Sequence, residues 1–149
     1  MRDELIDPTI SEIPNPTNMQ IEDEKVINLI KETYEKTYKF LELRQFRNGL
    51  KSIMALAQEG NKYIDLKAPW KQVKEDTNKA ATTLWVGINL ISNLGVLISP
   101  FLPKTSEKIT NLISDKSKFL KWQYREVSHG TKLIPQGPLF KKIDIKEKK

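Results

Sequence analysis

From about residue 20 to residue 113 the apolar positions recur at steps of three and four, the spacing of amphipathic helices. The first such run, Ile27, Ile30, Tyr34, Tyr38 and Leu41, predicts a helix to about Leu43. Thr17 and Gln20 form a candidate capping box before it, and Glu22, Asp23 and Glu24 put negative charge at the favourable end of its dipole. A second helix is predicted over Arg44 to Glu59, with Phe46, Leu50, Ile53, Met54 and Ala57 inward and Gly60 as its terminator. A third, Asp76 to Ile98, aligns Ala80, Leu84, Gly87, Ile91, Leu94, Gly95 and Ile98, flanked by Val86, Leu90 and Leu97. Two glycines on that stripe, each costing about 1 kcal/mol in helix propensity, predict a neighbouring helix packed closely against it. Pro100 ends this helix, and Lys104 to Ile113 forms a fourth, with Pro103 at its entry and Ile109, Leu112 and Ile113 on its apolar face.

The flanks lose this rhythm. Met1 to Met19 contains Pro8, Pro14 and Pro16 and reads as an extended lead-in or linker. Beyond Ser114, Phe119, Leu120, Trp122 and Tyr124 are only partly periodic, and Gly130, Pro135, Gly137 and Pro138 punctuate the rest of the chain. This part reads as an extended tail pinned by Leu133-Ile134-Pro135 and Pro138-Leu139-Phe140, ending in a basic stretch. The expected organisation is a lead-in over 1–19, one all-α antiparallel helix bundle over 20–144 and a basic tail over 145–149.

Composition narrows the chemistry. The chain has 149 residues, no cysteine, one histidine and a net charge of +6. Disulfides, thiol nucleophiles and cysteine metal sites are thereby excluded, and a reducing, cytoplasmic compartment is expected. The uncharged run Ala80 to Pro103 is long enough to consider as a membrane span, but its apolar part, Leu84 to Ile98, is interrupted by Asn89, Ser92 and Asn93. A buried central helix fits it better. Phosphate-binding glycine loops, nucleophile elbows and metal-ligand spacings are all missing, so no catalytic residue is assigned. The first-helix carboxylates read as a solvated face, and His129 as an exposed turn residue.

Two features could meet an anion or a base. At 100° per residue Arg44, Arg47, Lys51 and Gln58 share roughly a 60° arc beside the apolar face of the second helix. The stretch Gly60 to Lys71 alternates polar and aromatic residues in the expected connection between helices, and Pro69 fixes the backbone before Trp70. An indole held outward is a stacking platform for an unpaired base, with Lys62, Lys67, Lys71 and Lys74 near the phosphates. The competing expectation is a tryptophan that simply lids the core.

The block Arg47-Asn48-Gly49-Leu50-Lys51-Ser52-Ile53-Met54-Ala55-Leu56-Ala57, followed by Gly60-Asn61-Lys62-Tyr63-Ile64-Asp65 and Ala68-Pro69-Trp70, resembles the anticodon-binding domain of methionyl-tRNA synthetases, class I and eukaryotic cytosolic-like. Pro100-Phe101-Leu102-Pro103-Lys104-Thr105-Ser106 and Gly137-Pro138-Leu139-Phe140-Lys141-Lys142-Ile143 resemble later segments of that family in the same order, so the similarity spans roughly Ile21 to Asp144. The resemblance implies a helical domain that recognises the CAU anticodon of methionine tRNA for a catalytic domain outside this chain, which would use ATP and magnesium. It implies that Trp70 stacks on the anticodon, that Pro69 shapes its presentation, and that Asn61 and Asp65 belong to the same site, beside Lys62. Asn61 can donate to and accept from a base edge, Asp65 would repel a misplaced phosphate, and Arg44, Arg47 and Lys51 would hold the backbone of the anticodon stem-loop. Two further readers of the family, an Asn and an Arg on a preceding helix, have no counterpart in Met1 to Met19. The alternative is a non-reading helical scaffold that docks on a synthetase catalytic domain or associated proteins, with Trp70 buried. Neither membrane nor metal is expected as a partner.

Overall fold

The computed structural model describes residues 14–113, 121–128 and 130–133. Five helices follow one another: α1 (Ile21–Glu42), α2 (Phe46–Lys67), α3 (Pro69–Glu75), α4 (Thr77–Ile98) and α5 (Pro103–Thr110). Among the described residues, extended pairing is limited to one antiparallel bridge between Ile113 and Leu133. The expected all-α bundle is what forms: α2 runs antiparallel to α1, α4 packs against both, and α5 and α3 lie against the two ends of α4.

α1 begins one turn later than Thr17 would place it. The capping residue is Gln20, whose backbone N–H donates to Asp23 Oδ2 at 2.8 Å. Thr17 instead reaches α4, its N–H donating to Thr82 Oγ1 at 3.3 Å. Asp23, expected in solvent with its acidic neighbours, is buried. Tyr38, expected inward, is about half exposed.

α2 overturns the expectation that Gly60 ends it. The helix continues two turns to Lys67, and Gly60 is buried inside it. The reason is close approach: a Cβ on Gly60 would lie 2.3 Å from Leu90 Cδ2 of α4. Glycine here lets the Leu90 side chain pack directly on the α2 backbone, at the cost of helix propensity. Gly95 does the same for α5, where an added Cβ would meet Ile109 Cγ2 at 2.6 Å, whereas Gly87 makes ordinary contact with Ile64. The start of α2 also moves, because Arg44 sits in the left-handed region at φ 58° and the helix opens only at Phe46. Phe46 and Met54, expected inward, are exposed. Gly49, Ile53, Leu56, Gly60, Tyr63 and Ile64 make the buried face.

α4 is the core helix, capped by Asp76, whose carboxylate accepts from the Asn78 and Lys79 amides. By length and apolarity it could cross a membrane, but 67% of its apolar window is buried inside the protein. Its centre lies on the flank of the expected stripe: Trp85, Val86, Leu90, Val96 and Leu97 are buried, whereas Leu84, Ile91, Leu94 and Ile98 are only half-buried. The polar residues on this buried flank have a structural task. Asn89 Oδ1 accepts from Val127 N at 2.6 Å, Asn93 Oδ1 accepts from Arg125 N at 3.1 Å, and Asn93 Nδ2 donates to Arg125 O at 2.9 Å. Trp85 Nε1 donates to Val127 O and Trp122 Nε1 to Leu97 O. Side chains of α4 thus supply the partners that a neighbouring strand would give this segment. Tyr34 completes the seam, its hydroxyl donating to Asn93 Oδ1 at 2.9 Å and its ring meeting Trp122 edge-on. Burial pushes the Tyr34 phenol well above its usual range, so it stays a donor.

Leu133 packs against the core as the tail expectation requires. Ile134, Pro135, the Pro138-Leu139-Phe140 anchor, His129 and the terminal 145–149 lie outside the described residues.

Candidate nucleic-acid interface

The longer α2 changes what kind of site the candidate residues form. Asn61, Lys62 and Asp65, expected on a loop, occupy the last two turns of α2, all exposed. At 100° per residue, Arg47, Lys51, Met54, Gln58, Asn61, Lys62 and Asp65 fall within roughly a 100° arc, opposite the face that packs on α1 and α4. Every one of them is exposed. Arg44 stands apart in the α1–α2 turn, so the arc expected from periodicity loses that member. Along the axis Arg47 and Asn61 are about 21 Å apart, at 1.5 Å per residue.

The charge along this stripe is graded. Arg47 and Lys51 stand at the amino-terminal end of α2, Asp65 near its carboxyl end. Lys62 pairs with Glu59 at 3.0 Å on the exposed surface, an ion pair that contributes little to stability. Lys67, expected to face phosphates, is turned inward instead. Its Nζ donates to Gln20 Oε1 at 2.8 Å and lies 3.4 Å from Asp23 Oδ1. Lys71 and Lys74 remain exposed on α3.

Trp70 is delivered by a sharp corner. Ala68 adopts the left-handed conformation, φ 46° and ψ 65°, and closes α2 with its N–H on Ile64 O. Pro69 then opens α3, its missing N–H costing nothing in the first turn and its ring buried. Trp70 follows directly, half-buried and packed against the core cluster. It is therefore neither an indole splayed on an extended loop nor a fully buried lid. It packs on the core cluster while keeping part of its surface in solvent, three residues past Lys67, the carboxyl end of α2. The other two tryptophans fasten the carboxyl-terminal segment to α4. On the far side of α3, Gln72 Oε1 accepts from Thr83 Oγ1 at 2.8 Å and ties the short helix to α4.

Sequence reasoning missed the buried group beneath this corner. Tyr63 Oη donates to Asp23 Oδ1 at 2.5 Å, joining residues 40 positions apart. Burial, then the hydrogen bond to Asp23, pushes the Tyr63 phenol well above its ordinary range. Nothing local in the sequence announces such a pair.

The fold is that of a synthetase anticodon-binding helical domain. Over 90% of this chain and 28% of the other, it superposes on the free form of Mycobacterium tuberculosis methionyl-tRNA synthetase with a TM-score of 0.83 at 21% identity. With the form of that enzyme bound by methionyl-adenylate the TM-score is 0.82, at 22% identity, covering 88% of this chain and 27% of that one. The family model for the anticodon binding domain of methionyl tRNA ligase matches residues 13–149, and the chain belongs to that family. It is 35% identical to the methionine–tRNA ligase of Pyrococcus horikoshii over 132 residues, which is 88% of this chain and 18% of the relative. With the Dehalococcoides mccartyi ligase it is 39% identical over 123 residues, 79% of this chain and 22% of the relative. The chain therefore spans about a fifth of the length of these curated relatives. These relatives are archaeal and bacterial, so the expected eukaryotic cytosolic affinity is not supported.

Proposed function

We propose that the α2 stripe and the Ala68–Trp70 corner bind the anticodon stem-loop of methionine tRNA, on behalf of a catalytic domain outside this chain. The observation that carries this reading is the placement of Trp70. It stands half-buried just past the carboxyl end of a row about 27 Å long whose near end holds Asn61 and Asp65 and whose far end holds Arg47 and Lys51. A base stacks on the indole, and Pro69 and Ala68 fix where that ring stands. Asn61 contacts a base edge, while Asp65 disfavours a phosphate or a base presenting an acceptor. Arg47 and Lys51 stand about 21 and 15 Å from Asn61 along the axis, where they meet backbone phosphates as the loop gives way to its stem. Lys62 and Arg44 lie at the margins and contribute charge alone. ATP, methionine and magnesium belong to the remainder of the longer protein, which works in the cytoplasm where tRNA is charged.

Because Trp70 also packs on the core, the variant that isolates stacking is Trp70→Leu, which keeps an apolar side chain and removes the π face. It is expected to weaken binding of an RNA hairpin carrying CAU in its loop by about 1–3 kcal/mol. Fluorescence-anisotropy titration against a hairpin of scrambled loop sequence checks both affinity and reading, and unchanged affinity for the CAU hairpin would overturn the proposal. A second expected result concerns salt. Replacing Arg47 and Lys51 together with Ala should reduce the slope of log K against log salt by about 1.8, at roughly 0.9 per duplex phosphate contact. An unaltered slope would take that end of α2 out of the interface.

The scaffold alternative draws support from the opposite end of the bundle. Leu43, Phe46 and Leu102 are exposed on the α1–α2 and α4–α5 turns, and Phe101 lies against Gly49 between them. That apolar end suits docking against the rest of the protein. It lies a helix length from Trp70 and is compatible with RNA bound there.

A further inference from the structure

The buried carboxylate of Asp23 is the best-connected polar group near the corner. It accepts from Tyr63 Oη at 2.5 Å and from the Gln20 N–H at 2.8 Å, and Lys67 Nζ lies 3.4 Å away. Its residue exposure is 2%, and the Lys67 side chain is only 10% exposed. Glu22 Oε2, at 3.8 Å from Lys67 Nζ, is the other acid facing that ammonium. Tyr63 and Lys67 are one helical turn apart on α2, and Lys67 immediately precedes the left-handed Ala68. Thr83 of α4 donates to Gln72 of α3, the short helix that Pro69 and Trp70 open. Side chains from α1 and α2 thus meet in the last two turns of α2, directly before the Ala68 corner.

An ion pair taken out of water gains little net stability, because desolvation offsets the attraction, and well-packed apolar residues often serve stability as well. What such a group does fix is geometry, since each oxygen must meet its own donor. Resting on the reading of Trp70 as a stacking platform, we propose that Asp23, Tyr63 and Lys67 form a positioning lock that sets the Ala68 corner and so presents the Trp70 indole for RNA. None of the three touches the RNA. Lys67 acts through Asp23, not through a phosphate, and Tyr63 is the strut between α1 and α2.

The test uses the 149-residue chain labelled with 5-fluorotryptophan and the same CAU hairpin. Tyr63→Phe removes one oxygen and preserves the ring. The expected result is about a fivefold rise in Kd, of the size of one lost hydrogen bond. The fluorine resonance of Trp70, assigned by its absence in Trp70→Phe, should shift or split, while those of Trp85 and Trp122 stay in place. Asp23→Asn, close in shape but without the charge that holds Lys67, gives the same two readouts should the phenylalanine variant fail to fold. Unchanged Kd with an unmoved Trp70 signal would overturn the lock, and so would weaker binding accompanied by displacement of all three signals, which marks general loosening. The two readings separate cleanly. If Trp70→Leu itself binds as well as the parent chain, the RNA site is wrong; if Trp70→Leu binds weakly and Tyr63→Phe does not, only the lock is.

Discussion

Asn93→Leu should lower the unfolding free energy by about 3–5 kcal/mol, although the two side chains are nearly equal in size. Asn93 is wholly buried and serves three partners outside its own helix: the Tyr34 hydroxyl, the Arg125 N–H and the Arg125 carbonyl. Leucine would leave both Arg125 groups without a partner and the Tyr34 hydroxyl with only its longer contact to the residue-93 carbonyl at 3.4 Å, and each buried, unmet polar group costs about 1–3 kcal/mol. Some of that is recovered where the segment 121–128 lifts and lets water in, which is why the range stops short of the full sum. Urea unfolding measures the loss, and amide exchange localises it: the Arg125 and Val127 amides should exchange far faster, those in the middle of α2 much less so. A loss under about 1 kcal/mol would mean that the seam is not a structural bond at all.

The second large effect is expected at Gly60. Gly60→Val should destabilise the chain by about 3 kcal/mol, by overpacking of the α2–α4 contact. The Cβ alone would sit 2.3 Å from Leu90 Cδ2, and Leu90, 1% exposed, has little room to yield. Leu90→Ala should be costly by itself, about 2–5 kcal/mol, since it opens a cavity. The pair made together should be less harmful than the sum by about 1 kcal/mol or more, because the new methyls enter the space the leucine vacates. Thermal or urea melts of the four proteins measure that coupling. Strict additivity would show that the close approach of the two helices is not what requires glycine at position 60.

The same glycine shows how far the sequence can be read. A glycine after an amphipathic run marks the end of a helix, since it frees the backbone and packs nothing. It also marks a place where a side chain of another helix packs directly on the backbone, and the local residues are the same in both cases. Only Leu90, thirty positions away, distinguishes them. The largest difference between pattern and structure comes from that one ambiguity: Asn61, Lys62 and Asp65 belong to a helical face, and the whole row from Arg47 to Asp65 is one rigid stripe, not a helix edge leading into a loop. The candidate residues are named by the match of their types and order to a family pattern; their arrangement is not legible there.

By itself the sequence determined the class of fold, the span of α1 and α4, the proline entry to α5 and the net positive charge, whereas the short helix α3 stood where it predicted a connection. All of these rest on interactions between residues a few positions apart: periodic burial, capping, and the fixed φ of proline. Tertiary structure alone decided the length of α2, the half-burial of Trp70, the inward turn of Lys67 and the burial of Asp23 against Tyr63. It also decided that Asn89 and Asn93 would hold the carboxyl-terminal segment. Each of those depends on which distant partner is met, and on whether a polar atom finds its hydrogen bond across the core or in water, a choice that no local pattern encodes.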